Sequence, residues 1–208
     1  MNIFLIRHGE KIDDDRNHEL LQLTSKGVIQ ADLLGKRLMQ YNIEKIYSSN
    51  MKRAIQTSEV INNYLGVEII IKTELREINM GACDTNGWQY LEEHYPEFIV
   101  EYNKHEEDLR YPPDGECGED VWIRVSKAVY EIIKEESNNI AIVTHGGVIR
   151  ALICGLLQLN QAKRFYLGKP PENCSISLIK YDKQSQNFYI HSFNDYAHLE
   201  IRIEQYIF

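Results

Sequence analysis

The chain has 208 residues, 43% of them hydrophobic and 26% charged, which suits an ordinary globular protein and excludes a fibre or a disordered tail. A formal net charge of −8 argues against nucleic acid or an anionic membrane as the main partner, although a local arginine cluster can override the average field. No apolar run is long enough to span a bilayer and no basic leader opens the chain. The four cysteines, Cys83, Cys117, Cys154 and Cys174, show neither C-x-x-C nor zinc-ligand spacing, so a cytoplasmic, reduced protein is expected.

The first element is an apolar run over residues 1–6 that ends in Arg7-His8-Gly9. It reads as a buried strand delivering polar side chains to the edge of a sheet, where open α/β sheets bind ligands. Thr24 is a suitable N-cap for a helix carrying Val28, Ala31, Leu34, Leu38 and Met39 on one side. A short strand follows at 43–47, and Ser48-Ser49 are placed to cap a helix that runs through Arg53 to Leu65, closed by Gly66. Residues 67–71 read as a third strand.

Residues 81–118 carry no strand signal and are rich in aromatic and acidic side chains. This stretch is expected to be a mostly helical insertion over the site. Its Trp88, Tyr90 and Tyr95 suit either contact with a substrate or packing of the insertion onto the sheet. A helix over 119–137 leads to a strand at 140–144 that runs into His145-Gly146-Gly147. Strands near 174–181 and 187–193 read as a closing hairpin. The expected architecture is an α/β three-layer sandwich with a mainly parallel mixed sheet and helices on both faces, one domain over residues 1–208.

Two strands that each deliver a histidine followed by glycine suggest one site built from distant parts of the chain. A single His-Gly is ordinarily a turn, and an arginine such as Arg53 ordinarily faces solvent. Together, Arg7, His8, Arg53 and His145 could surround a tetrahedral anion, since arginine forks bind phosphate bidentately and a neutral imidazole is a nucleophile. Glycines after the histidines would let backbone approach the anion and permit a tight turn into a helix. A metal site at His8, Glu10 and His145 is the weaker alternative, because no dense ligand set accompanies them.

Five blocks then appear in a familiar order. Arg7-His8-Gly9-Glu10 resembles the Arg-His-Gly signature of the histidine phosphatase superfamily, the phosphoglycerate-mutase-like proteins. Residues 48–57, SSNMKRAIQT, are similar to its Ser-Ser-x-x-x-Arg-Ala-x-Gln-Thr helix start, and residues 75–81, LREINMG, to its acid-bearing segment. Pro113-Asp114-Gly115-Glu116, with Asp120 and Arg124, resembles its Pro-x-Gly-Glu helix entry, and residues 143–150, VTHGGVIR, its second histidine.

The resemblance implies that His8 is a nucleophile forming a phosphohistidine. Arg7, Arg53, His145 and Gly146 would bind the phosphoryl group, and Glu77 would protonate the leaving alcohol and then activate water. It implies no metal and no cofactor. Gly146 stands where the acid-phosphatase branch carries Asp, which leaves the acid role to Glu77. The Lys11-Ile12-Asp13-Asp14-Asp15-Arg16-Asn17 stretch departs from the mutase pattern, and its Asp run would repel a strongly anionic ester. The expected activity is a metal-independent phosphomonoesterase acting on a small phosphorylated substrate. A phosphoglycerate mutase and a weakly active phosphate-binding module are the alternatives, and the oligomeric state is open.

Overall fold

The computed structural model describes residues 1–12 and 20–200. In chain order the elements are β1 (Asn2–Arg7), α1 (Ser25–Leu38), β2 (Lys45–Ser48), α2 (Lys52–Leu65), β3 (Glu68–Ile71), α3 (Cys83–His94), α4 (Pro96–Tyr102), α5 (Gly118–Ile132), β4 (Asn139–Thr144), α6 (Gly146–Leu156), β5 (Ile176–Asp182), β6 (Asn187–Asp195) and α7 (Ala197–Glu200). The strands form one sheet in the order β3-β2-β4-β1-β5-β6. β3, β2, β4 and β1 are mutually parallel, while β5 runs antiparallel to β1 and β6 antiparallel to β5.

The central strands are buried on both faces, which explains their unbroken apolar runs. Successive side chains of a strand point to opposite sides. Ile3 and Leu5 of β1, with Ile140 and Ile142 of β4, therefore join the core under α5 and α6. Phe4 and Ile6, with Ala141 and Val143, join the core under α1 and α2. The insertion adds Leu91 and Tyr111 to the α5–α6 side and contains no strand among its described residues.

Three helices differ from the sequence expectation. α1 buries Gly27, Ala31, Leu34, Gly35 and Leu38, whereas Val28 and Met39 are exposed. The reason is close approach. A Cβ on Gly35 would lie 2.5 Å from the Tyr64 ring of α2, and one on Gly27 would lie 2.2 Å from the Glu10 carbonyl oxygen. Glycines share the buried face with Ala31, Leu34 and Leu38, because at two points only a residue without a side chain fits. α2 begins at Lys52 and takes no side-chain cap. Ser48 donates to the Ser49 carbonyl, and Ser49 accepts from the Met51 N–H at 3.2 Å while also engaging His145. α5 ends at Ile132, five residues early, where Lys134 and Glu135 bond back only three residues and turn the chain toward β4.

Candidate active site

The site follows from strand order. β1 and β4 are parallel neighbours with Arg7 opposite Thr144, and the His8 N–H donates to the Thr144 carbonyl at 3.0 Å. His8 and His145 therefore leave the sheet side by side, their ring centroids 5.1 Å apart. Residues 137 positions apart in sequence meet because two strand ends share a register.

The hydrogen bonds of His8 fix its tautomer. Arg53 Nε donates to His8 Nε2 at 3.1 Å, and a guanidinium nitrogen is only a donor. Nε2 therefore holds the lone pair and Nδ1 the proton, which the Gly9 carbonyl accepts at 2.7 Å. The ring is buried. Burial, then the charges of Arg53 and Arg7, push its pKa well below that of an ordinary histidine.

Arg53 sits in the first turn of α2, fully buried, in a turn with no acidic residue. A cation at a helix N-terminus opposes the macrodipole, and burial adds a desolvation cost. Helix stability does not explain its place there. Arg7 donates through Nη1 to the Pro171 carbonyl, while its Nε is buried with no hydrogen-bond partner. Burial lowers the pKa of both arginines, and the nearby Glu77 charge acts in the opposite direction. His145 is fully buried, with Nε2 2.8 Å from the Ser49 hydroxyl.

Glu77 faces this group from the segment after β3. Its Oε1 accepts from the Ile78 N–H at 2.9 Å, and its Oε2 lies 3.4 Å from the Gly147 N–H at the start of α6. A carboxylate anchors the segment behind it. Glu116 accepts from both Nη atoms of Arg76 (3.2 and 3.1 Å), from Arg124 Nε and Nη2 (2.8 and 3.0 Å) and from the Asn79 N–H at 2.9 Å. Arg124 also donates to the carbonyls of Glu74, Arg76 and Glu77. Burial alone would raise the Glu116 pKa, but hydrogen bonds from Arg124 and Asn79 with the two arginine charges hold it below the usual carboxylate value. The Pro-x-Gly-Glu segment and Arg124 thus position the Glu77 backbone, a role their sequence did not disclose.

The glycines that follow the two histidines do different work from that expected. Residues 10–12 after Gly9 are not helical, and a Cβ on Gly9 would lie 2.6 Å from the Gly27 carbonyl oxygen. It lets the strand end pack on α1. At Gly146 a Cβ would make only ordinary contacts, whereas at Gly147 it would come 2.6 Å from Glu77 Oε1.

These groups open into a cleft of about 230 Å³. Arg7, His8, Arg53, Glu77 and Gly146 line it, whereas His145, fully buried beside His8, is not part of the lining. Lys11 is also in the lining, while Glu10 turns away to Lys26 at 2.6 Å and Thr24 at 3.0 Å. Asp13, Asp14 and Asp15 lie outside the described residues. The aromatic wall comes from Tyr102, Tyr111 and Phe165; Trp88, Tyr90 and Tyr95 are absent from it. Trp88 instead packs on Tyr102, and Tyr90 stacks on His94. Arg150 and Arg164 are further cations that the sequence reading missed. Arg150 was legible in principle, since it follows Gly146 by four residues and so shares its helical face. Among the described residues no group of three or more His, Cys, Asp or Glu side chains gathers as a metal would require, and no helix is long and apolar enough to cross a membrane.

The sequence model of the histidine phosphatase superfamily (branch 1) matches residues 3–195. Phosphoglycerate mutase-like protein 4 of Arabidopsis thaliana is 31% identical over 160 residues, covering 72% of this chain and 68% of its own. The human 6-phosphofructo-2-kinase/fructose-2,6-bisphosphatase 1 is 30% identical over 178 residues, which are 81% of this chain but 35% of that protein. This chain therefore spans only about a third of that two-activity relative. The structure of mycobacterial glucosyl-3-phosphoglycerate phosphatase superposes with a TM-score of 0.83 at 23% identity, over 93% of this chain and 98% of that one, a likeness of fold. With the family pattern matched along nearly the whole chain, this protein is a member of the histidine phosphatase superfamily, branch 1.

Proposed function

We propose that the protein is a metal-independent phosphomonoesterase that works through a phosphohistidine on His8. The observation that carries this reading is the buried, neutral His8 ring, whose Nε2 lone pair is held by Arg53 Nε inside a cleft faced by Glu77. The phosphoryl group of a small ester takes the position in front of Nε2, and Arg7, Arg53, His145 and the Gly146 N–H at the start of α6 bind its oxygens. Nε2 attacks phosphorus as the bond to the ester oxygen breaks, and Glu77 passes its proton to that oxygen. Water then attacks the phosphohistidine, Glu77 takes the water proton, and the P–N bond breaks to release phosphate and restore His8. Charge gathered on the phosphoryl oxygens is met by fixed cations, so the chemistry needs no metal.

Phosphate release from a panel of monoesters in EDTA, with alkaline quench and mass spectrometry of the intact chain, tests this. Release that survives chelation, with a phosphoryl adduct on His8, is expected; His8→Ala should lose both. Undiminished turnover in that variant would overturn the assignment. The name of the Arabidopsis relative favours a second reading, a phosphoglycerate mutase. It requires interconversion of 2- and 3-phosphoglycerate faster than phosphate release, measured in the same samples.

A further inference from the structure

We propose that Arg150 is a specificity residue that reads a carboxylate on the leaving group, so that the preferred substrates are phosphate monoesters of small hydroxy acids. This rests on the phosphatase reading of the same cleft. α6 begins at Gly146, and Arg150 stands four residues beyond Gly146 and three beyond Gly147. All three residues line the cleft, on one helical face. Arg150 is therefore about one turn, roughly 5.4 Å, farther along the helix than the glycines beside the phosphoryl position.

Among the described residues four arginines line the cleft, and they are not equivalent. Arg7 and Arg53 belong to the His8 end. Arg164 is neutralised by an ion pair with Asp108 and donates to the Gln161 carbonyl at 2.8 Å. Arg150 has no ion-pair partner among the described residues. Its Nη2 donates to the Gly168 carbonyl, and its Nε is buried without a hydrogen-bond partner. A buried donor left unmatched is costly, and the position calls for an acceptor. Burial, then the charges of Arg164 and Arg7, lower the Arg150 pKa, a field that a bound anion would relieve.

The shape of the cleft narrows the anion. About 230 Å³ lies below the roughly 300–1,000 Å³ typical of ligand pockets, which suits a phosphoryl group with a leaving group of a few carbons. A carboxylate is planar and matches the guanidinium fork. Ile78, Met80 and Phe165 supply apolar wall for the short carbon chain between the two charges.

The test compares kcat/KM for phosphate release from 3-phosphoglycerate and glycerol 3-phosphate, which differ only in carboxylate against hydroxymethyl. The wild type should favour the carboxylate ester by roughly 10- to 100-fold, the range expected of hydrogen bonds to a charged group. Arg150→Gln should bring the ratio close to one, and Arg150→Lys should restore part of it. Because both esters are read on one sample, incomplete folding of a variant does not alter the ratio. A wild-type ratio near one, or equal losses on both esters in Arg150→Gln, overturns the role of Arg150 while leaving the phosphatase reading in place. Failure of the wild type to hydrolyse either ester while other monoesters of the panel are turned over overturns this inference alone; failure across the whole panel overturns the phosphatase reading, and this inference with it.

Discussion

At the scale of the residue, His8 is prepared before any substrate arrives. A histidine at its ordinary pKa of about 6.5 is half protonated in mildly acidic solution and then offers no lone pair. Here burial and two arginines disfavour the imidazolium, and two hydrogen bonds leave only one tautomer compatible with the surroundings. Long-range nitrogen–proton NMR at pH 6 should therefore show His8 neutral, with the proton on Nδ1 and an unprotonated Nε2. A charged ring at that pH, or the opposite tautomer, would contradict the assignment of Nε2 as the reactive atom. The same placement has a stability cost. Because the folded pKa is depressed, the unfolded chain takes up the proton first, and stability falls as pH drops below about 6.5 toward the folded value.

At the scale of the element, the first turn of α6 couples the two halves of the site. Its opening residues line the cleft, and its Gly147 N–H lies against the Glu77 carboxylate. A methyl group at Gly147 would push on Glu77 Oε1, the far end of a flexible side chain, so the fold should survive while the carboxylate moves. General acids contribute roughly 10²- to 10⁴-fold, most where the leaving group is a poor one. Gly147→Ala is accordingly expected to lower kcat on alkyl phosphates by roughly 10- to 100-fold and on p-nitrophenyl phosphate by much less, with little change in Tm. Equal losses on both esters would mean that the substitution disturbs binding rather than the acid.

At the scale of the whole molecule, the Glu116–Arg124–Arg76 cluster ties α5 to the segment that carries Glu77. The Glu116 pKa is depressed in the folded state, so its contribution to stability is fully present above the ordinary glutamate value of about 4.3 and is lost as pH falls through the folded value. Charge-assisted hydrogen bonds contribute about 1.5–3 kcal/mol, and at this chain length each kcal/mol moves Tm by about 2–4 °C. Glu116→Gln should melt several degrees below the wild type at pH 7, and the gap should narrow below pH 4. A gap that stayed constant down to pH 3 would place the effect in packing rather than in charge.

The sequence by itself determined the strand ends and the residues delivered there. Unbroken apolar runs can only be satisfied by burial on both faces, and β1 and β4 each end one residue before a histidine. The order of the five motif blocks then singled out Arg53 and Glu77, which no local periodicity distinguishes. Local pattern failed where tertiary packing outweighed it. Gly27 faces the Glu10 backbone and Gly35 faces α2, while the larger Val28 and Met39 stay exposed, because close approach rewards the smallest side chain. Ser49 is drawn to His145 instead of capping α2. Only the tertiary structure decided which aromatic residues wall the cleft, that Glu116 and Arg124 hold the Glu77 segment, and that Arg150 lines the cleft with no ion-pair partner among the described residues. Those facts depend on contacts between segments far apart in the chain, and their distances are set by helix and sheet packing rather than by spacing along the sequence.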